Sequence, residues 1–230
     1  MKTVEGLLLV NKPPGVTSHD VVQVARRKLA IRQIGHTGTL DPIAEGLLIL
    51  LVGRSTKHQQ VFQRHEKLYE TRIRLGVQTD TGDATGTVVR TAPIPVLARD
   101  QILTVLNSLR GPLTQTPPAY SAVKVKGRPA YWWTRRHQTV VLSPRVVHVA
   151  EIALVACTPE TITFRVTCSA GTYIRSMAEL IAERLGTVGH VEYLVRQGIG
   201  RWRLEDAKPL SWVQQATPEL LAQHMRPCAS

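Results

Sequence analysis

The sequence predicts an α+β fold in which helices flank a mixed, mainly antiparallel central sheet. The chain has 230 residues, 43% of them hydrophobic, which is enough to bury a sizeable core. Strand and helix patterns are mixed without a regular β–α–β alternation. Two β-rich segments, RVVHVAEIALVAC and ETITFRVTC, are separated only by turn residues at Thr158 and Pro159, which favours an antiparallel hairpin.

The first part of the chain alternates apolar strands with one amphipathic helix. GLLLV predicts a strand over residues 6–10, and helical spacing predicts a helix capped by Ser18 that runs to Ala30. The apolar run GLLILLVG predicts a strand buried on both faces. From Lys67 apolar and polar residues alternate with period two, which predicts an edge or half-exposed strand.

Two further helices are expected in the second part of the chain. The first spans residues 98–110 and is stopped by Gly111-Pro112, and the second runs from Thr172 to Leu185, before Gly186. We expect one domain over residues 1–210 and a short helical C-terminal extension over residues 211–230.

The composition predicts a polyanionic partner. Lys and Arg number 29 against 17 Asp and Glu, which gives a net charge of +12 and a pI near 10.2. Nucleic acid is the first candidate and an anionic membrane surface the second. The sequence contains neither a membrane-length apolar run nor a signal peptide, so we expect a cytoplasmic protein. Its three cysteines lack CxxC spacing, and neither a metal site nor a disulfide framework is expected.

The polar stretch GHTGTLDP, residues 35–42, separates two segments that are predicted to be ordered. Gly35 and Gly38 permit turn conformations, and Pro42 favours an extended backbone at Asp41. This arrangement would display the Asp41 carboxylate on a stiff loop, as a nucleophile or base requires. The alternative is an ordinary turn in which Asp41 caps neighbouring amides and His36 is a surface residue.

A second unusual residue is Arg175 in CSAGTYIRSMAEL. If Thr172 caps the helix, Arg175 falls in the first turn, where a cation opposes the positive end of the helix dipole. Either Glu179, one helical turn further along, or an external carboxylate such as Asp41 could neutralise the positive charge of Arg175. The sequence leaves both alternatives open.

Tyr69 and the segment YWWTRRH pose a choice between packing and RNA contact. A tyrosine on a strand is usually a packing residue, yet cations beside Tyr69 could hold phosphates while a base stacks on its ring. We interpret YWWTRRH as a solvated basic face that touches backbone phosphate. Phosphate-loop, dinucleotide-binding and GxSxG motifs are absent from the sequence.

Seven segments together resemble the TruB family of tRNA pseudouridine synthases, the enzymes that modify uridine 55 in the T loop. In chain order they are NKPPGVTSHD, GHTGTLDPIAEGLLIL, the strand with Tyr69, LGVQTDTGDATG, PPAYSAVKVKG, CSAGTYIRSMAELIAERLG and GHVEYLVRQGIG. The resemblance implies the pseudouridine synthase fold with a central catalytic cleft. It also implies a monomer that acts on the T stem-loop of tRNA without a cofactor or metal.

The resemblance carries family roles onto individual residues. It implies that Asp41 is the nucleophile, that Tyr69 stacks on the target base and that Arg175 pairs with the nucleophile. Substrate-binding residues are implied at the matching positions, which are His36, Tyr173, Leu194, Lys12 and Asp83.

The chain departs from the family pattern at two places. Bacterial members commonly continue into a PUA-type RNA-binding domain, which we do not expect in residues 211–230. Glu45 lies where a small hydroxyl residue is expected, and it brings a second carboxylate near Asp41. A non-catalytic tRNA-binding or RNA-folding protein on the same scaffold, and a synthase acting on another RNA, are therefore alternative functions.

Overall fold

The chain divides into two compact units. The computed structural model describes residues 4–136 and 138–228. Unit one comprises Met1–Tyr69 and Leu194–Ser230, and unit two comprises Glu70–Tyr193. The strands that begin at Lys67 and at Gly189 each contribute residues to both units.

The described residues form fourteen strands and seven α-helices. The strands are β1 Gly6–Lys12, β2 Ile34–His36, β3 Glu45–Val52, β4 Lys67–Leu75, β5 Val77–Thr79, β6 Val88–Thr91, β7 Gly111–Gln115, β8 Lys124–Val125, β9 Arg128–Pro129, β10 Arg145–Cys157, β11 Thr161–Cys168, β12 Gly189–Ile199, β13 Trp202–Arg203 and β14 Lys208–Pro209. The helices are α1 Ser18–Leu29, α2 Gln59–Arg64, α3 Arg99–Asn107, α4 Ala130–Thr134, α5 Ile174–Arg184, α6 Leu210–Gln215 and α7 Pro218–Gln223, and short 3-10 helices span Gly53–His58 and Leu204–Asp206.

Unit one is built on strands in the order β14, β1, β3 and β12, with β2 also paired to β3. The β1–β3 and β2–β3 pairs are antiparallel, whereas β3 and β12 run parallel. Strand β3 is buried along almost its whole length because it pairs on both sides, and its Leu47, Ile49 and Leu51 side chains belong to a core cluster with Phe62 and Ile199. Helices α6 and α7 both pack against α1, so residues 211–223 are part of this unit.

Unit two contains strands in the order β4, β11, β10 and β7. The antiparallel β10–β11 pair carries two register shifts, after Val149 and after Leu154. Helix α3 packs on β10 and also contacts α5, and the side chains of Ile162, Phe164 and Val166 are buried on β11. Strands β5 and β6 form a separate small hairpin.

The predicted α+β class with a mixed, mainly antiparallel sheet flanked by helices is confirmed, as are the buried strand β3 and the β10–β11 hairpin. Two helix starts were wrong. Thr17, not Ser18, caps α1, because its hydroxyl accepts from Asp20 N while the Asp20 carboxylate accepts from Thr17 N. Tyr173, not Thr172, precedes α5.

For β4 the sequence predicted an edge or half-exposed strand; the half-exposed alternative is confirmed, whereas the edge position was wrong. Its alternation of buried and exposed residues is present, but the strand lies between β12 and β11. Its exposed face carries charges that find partners on neighbouring strands, such as Arg72 with Glu192 at 2.6 Å. No helix within the described ranges is both long and apolar enough to cross a membrane.

Candidate active site

The loop that carries Asp41 is fixed to the body of unit one through its main chain. The Ser18 hydroxyl accepts from Leu40 N at 2.8 Å and donates to Leu40 O at 3.1 Å, and both groups are buried. Beyond Asp41, the Pro42 carbonyl accepts from Gly15 N at 2.8 Å. The residues on both sides of Asp41 are therefore held, as a displayed catalytic group requires.

A buried arginine on β12 supports the first half of the same loop. The Arg196 guanidinium is 1% exposed and donates to the carbonyls of Gly38 at 3.0 Å, Thr39 at 3.3 Å and Leu47 at 2.7 Å. Gly46 permits this close packing, because its φ is +107° and a Cβ atom there would lie 2.8 Å from Arg196 N. Sequence reasoning missed Arg196; its signal is a lone arginine in the strand VEYLVRQGI.

Lys12 is a second buried cation beside the loop. Its side chain is fully buried, and Nζ donates to the carbonyls of Pro13 at 2.9 Å, Val16 at 2.8 Å and Pro42 at 3.4 Å. Burial lowers the pKa of Lys12 to about 8; the nearby Arg196 charge lowers it further, while Asp41 and Glu45 act in the opposite direction. These contacts give Lys12 a role in holding the loop, and its predicted contact with substrate stays a prediction.

Three other predicted site residues belong to unit one. His36 ends β2, where its carbonyl accepts from Gln59 and its Nδ1 accepts from Gly38 N at 3.3 Å. Burial, followed by the charge of Arg196, lowers the pKa of His36, which favours the neutral ring. Tyr69 is half-buried on β4, and Leu194 is buried on β12.

In unit two, Arg175 lies in the first turn of α5, as predicted, but its observed partners are unexpected. It is 4% exposed and donates to the carbonyls of Thr81 at 2.8 Å and Tyr120 at 2.8 Å. Its Nε lies 3.9 Å from an Asp83 carboxylate oxygen. Burial raises the pKa of Glu179, the helical neighbour proposed to compensate Arg175, although the positive charge of Arg175 opposes that rise.

Asp83 and Tyr173 are held by contacts of their own. The Asp83 carboxylate accepts from Thr81 Oγ1 at 2.9 Å and from both the amide and the hydroxyl of Thr85, which closes the loop after β5. The Tyr173 amide donates to Gln115 Oε1 at 3.0 Å, and Gln115 Nε2 donates back to the Tyr173 carbonyl at 3.3 Å. Unit two thus brings Arg175 and Asp83 together, and fixes Tyr173 at the start of the same helix.

The aromatic segment predicted to face phosphate forms a compact cluster in unit two. Arg136 stacks 3.7 Å from the Trp132 ring centre, and Arg128 lies 5.4 Å from the same ring. Trp133 donates from Nε1 to the Val125 carbonyl at 3.0 Å. His137, the last residue of the segment, lies outside the described residues.

The predicted site residues therefore form two constellations. Unit one holds Asp41, His36, Lys12, Tyr69 and Leu194, and unit two holds Arg175, Asp83 and Tyr173. Over residues 4–136 and 138–228, no group of three or more His, Cys, Asp or Glu is placed to hold a metal ion.

Comparison with known proteins finds related sequences over almost the whole chain. A family model described as "TruB family pseudouridylate synthase (N terminal domain)" matches residues 26–174. A tRNA pseudouridine synthase B of Heliobacterium modesticaldum is 43% identical over 218 residues, which cover 94% of this chain and 71% of the relative. The protein of the same name from Burkholderia pseudomallei is 42% identical and covers 95% and 72%.

Solved structures give the same fold. A chain from a Cbf5–Nop10–Gar1 complex matches with a TM-score of 0.73 and 27% identity over 97% of this chain. A chain from the archaeal box H/ACA sRNP Nop10–Cbf5 complex matches with a TM-score of 0.70 at 24% identity, which supports the fold alone. The present chain spans 60% of the length of either matched chain.

The buried guanidinium generates the first prediction. Arg196→Met should lower the free energy of unfolding by about 2–4 kcal/mol, because three main-chain carbonyls, including the buried one of Leu47, lose a charged donor. Arg203→Met is the matched control: Arg203 also donates to two carbonyls, of Gly200 and Trp202, but is exposed, so water can replace it and the loss should stay below about 1 kcal/mol. Urea unfolding measures both, and equal losses would contradict the role given to Arg196.

Because the pKa of Lys12 is lowered in the folded state, the stability of the protein should depend on pH. The folded state releases this proton near pH 8 and the unfolded state near 10.5, so the unfolded state binds more protons between them and stability rises with pH in that window. The unfolding free energy of the wild type minus that of Lys12→Met should increase by about 3 kcal/mol from pH 7 to pH 11. Urea titrations of both proteins at each pH test this, and a difference independent of pH would refute it.

Proposed function

Because this chain belongs to the TruB family of pseudouridylate synthases, we propose that it converts uridine 55 in the T loop of tRNA to pseudouridine. The observation that carries the proposal is the identity of 43% with a tRNA pseudouridine synthase B over 94% of the chain, combined with the fixed loop that displays Asp41. The net charge of +12 supplies the sequence-independent part of RNA binding.

The reaction is an isomerisation, so every atom of the substrate is kept. The glycosidic bond from C1′ to N1 breaks, the uracil turns within the pocket, and C1′ bonds to C5, which loses its proton while N1 gains one. We assign the nucleophile or base that starts this sequence to the Asp41 carboxylate. Its fixed main chain lowers the entropic cost of reaching the reactive geometry.

The target uridine must leave the RNA stack before it can meet Asp41. We propose that Tyr69 stacks on the flipped base, at an unstacking cost of about a few kcal/mol for the RNA. His36 would hold the opened loop, and its lowered pKa keeps the ring neutral. Because Nδ1 already accepts from Gly38 N, the ring would offer its Nε2–H donor to the nucleotides. Leu194 and Tyr173 would line the base pocket.

Arg175 is proposed to pair with Asp41 during the reaction. In unit two the guanidinium is directed by the Thr81 and Tyr120 carbonyls and by Asp83, and it is almost fully buried. A buried cation in the first turn of a helix is stabilised by nearby carboxylates, of which Asp83 is one and Asp41 is proposed as another. Asp83 then serves to orient Arg175.

We further propose that the protein works in the cytoplasm, as a monomer, on the T stem-loop. We place the protein in the cytoplasm because the proposed function requires access to unmodified tRNA. The reaction involves neither net oxidation nor hydrolysis, so we expect no cofactor.

Asp41→Asn tests the assignment of the nucleophile. Turnover on an unmodified tRNA transcript should fall by at least about a thousandfold, while the Kd for the transcript stays within a few-fold, because the amide keeps the shape but loses the charge. Chemical mapping of pseudouridine gives both the yield and the modified position. Normal turnover by the variant would refute the assignment, a different position would identify another RNA target, and binding without any product by the wild type would indicate a non-catalytic RNA-binding protein.

Arg175→Ala tests the proposed pair. It should reduce kcat by about a hundredfold or more and change tRNA affinity little, because the cation acts on the reacting carboxylate. Arg184→Ala, on the exposed face of the same helix, is the control and should leave kcat unchanged. Melting curves establish that both variants are folded at the assay temperature. A loss confined to affinity would place Arg175 among the phosphate contacts.

A further inference from the structure

Helix α5, which carries Arg175, does not cap its own N-terminus. Among the described residues, the Tyr173 side chain makes no capping hydrogen bond to the helix, and the first turn contains no acidic residue. The first amide groups of a helix have no partners within it, and a cation in the first turn adds to their positive end charge. The start of α5 therefore has to be held by groups outside the helix.

Gln115, the last residue of β7, supplies such a group, and it is only 5% exposed. Gln115 Oε1 accepts from the Tyr173 amide at 3.0 Å, and Nε2 donates to the Tyr173 carbonyl at 3.3 Å. The same carbonyl accepts from Met177 N at 3.1 Å, which begins the main-chain hydrogen bonding of the helix. One glutamine side chain thus holds the residue at which α5 begins.

The residues that follow Gln115 contact the same turn of α5. Ser176 Oγ donates to the Thr116 carbonyl at 3.1 Å, and the Arg175 guanidinium donates to the Tyr120 carbonyl at 2.8 Å. Together with the glutamine, this segment meets the first turn of the helix at three points, one of which is the guanidinium itself. The end of β7 and the loop after it therefore act as an external support for the start of α5.

Strand β7 gives Gln115 a fixed main-chain position. The strand pairs antiparallel with β10, and Gln115 lies opposite Arg145 in that register. Leu113, two residues earlier, is buried on the same face of the strand as Gln115. The sheet of unit two therefore sets where the Gln115 amide lies, and the amide sets where α5 begins.

We propose that Gln115 is a positioning residue for Arg175. By holding both main-chain polar groups of Tyr173, its amide fixes the start of α5, and Arg175 lies two residues further on in the same turn. This inference rests on the proposed function, because it takes the Arg175 guanidinium to act on Asp41 during the reaction. In this role Gln115 need not touch the substrate, so its loss should impair catalysis only through the position of Arg175.

Gln115→Met tests the inference, because methionine is similar in length and lacks the amide that pairs with Tyr173. Single-turnover conversion of an unmodified tRNA transcript should slow by about tenfold to a hundredfold, since a misplacement of about 1 Å can cost that much rate. The Kd for the transcript should stay within about a few-fold of the wild-type value. Gln115→Glu keeps the acceptor for the Tyr173 amide and loses only the donor, so it should lose less rate than Gln115→Met.

Gln101→Met is the matched control. Gln101 Oε1 accepts from Ala98 N at 2.8 Å at the start of α3, which is also in unit two. The change therefore removes a similar hydrogen bond from a helix that carries no predicted site residue. Its single-turnover rate should equal that of the wild type, at a temperature where melting curves show every variant to be folded.

A second background separates positioning of Arg175 from a general effect on the fold. In Arg175→Ala, the further change Gln115→Met should hardly alter the remaining rate, because the group that Gln115 positions is gone. An equal slowing in the wild-type and Arg175→Ala backgrounds would overturn the inference, as would a loss confined to tRNA affinity.

Amide hydrogen exchange gives a readout that does not depend on turnover. In Gln115→Met the Tyr173 amide loses its acceptor, so exchange at the start of α5 should be faster than in the wild type, whereas Gln101→Met should affect the start of α3. Unchanged exchange at the start of α5 in Gln115→Met would overturn the inference. If the wild type makes no pseudouridine, the proposed function fails, while exchange still decides whether Gln115 holds α5. If the wild type is active and Gln115→Met keeps the full rate, only the present inference fails.

Discussion

The hydrogen bonds between the buried Arg196 guanidinium and three main-chain carbonyls are the interaction on which unit one depends. A guanidinium presents its donors in a fixed planar fork, so it can hold several acceptors in defined directions at once. Here those acceptors belong to the loop before Asp41 and to the buried strand β3. Without them a polar loop of glycines and threonines would have few contacts to fix its path.

Unit two also contains a buried arginine that donates to main-chain carbonyls, but there the carbonyls fix the position of the arginine. Arg175 is again a buried guanidinium that donates to carbonyls, from the loops at Thr81 and Tyr120, but here it is itself a candidate catalytic group. Asp83 both closes its own loop through Thr81 and Thr85 and lies next to the guanidinium. Arg196 thus holds the loop that carries Asp41. Arg175, in contrast, is held by two loops, so that its positive charge has a defined position.

The parts that could be predicted from sequence are those with local signals. Glycines and a proline around Asp41 indicated a stiff loop, and the predicted helix start at Thr172, one residue before the observed cap, placed Arg175 in the first turn. Arg196 could not be found in this way, because a polar residue in a strand normally faces solvent, and only the three-dimensional path of a loop more than 150 residues earlier supplies its partners. The neighbours of β4 were equally nonlocal, since a strand pattern reports which face is buried and not how many strands pair with it.

Glu45 shows how a departure from the family pattern can be accommodated. It begins β3, directly opposite Val195 and next to the Arg196 register position, and its charge acts on Lys12 together with that of Asp41. Two carboxylates close in sequence would repel each other if they were alone. In unit one two buried cations lie close to these carboxylates: Lys12 donates to the Pro42 carbonyl between them, and Arg196 donates to Thr39 before Asp41 and to Leu47 after Glu45. The two carboxylates are therefore matched in number by two buried cations, so the chain can carry a glutamate at this position while the supports of its aspartate loop are retained.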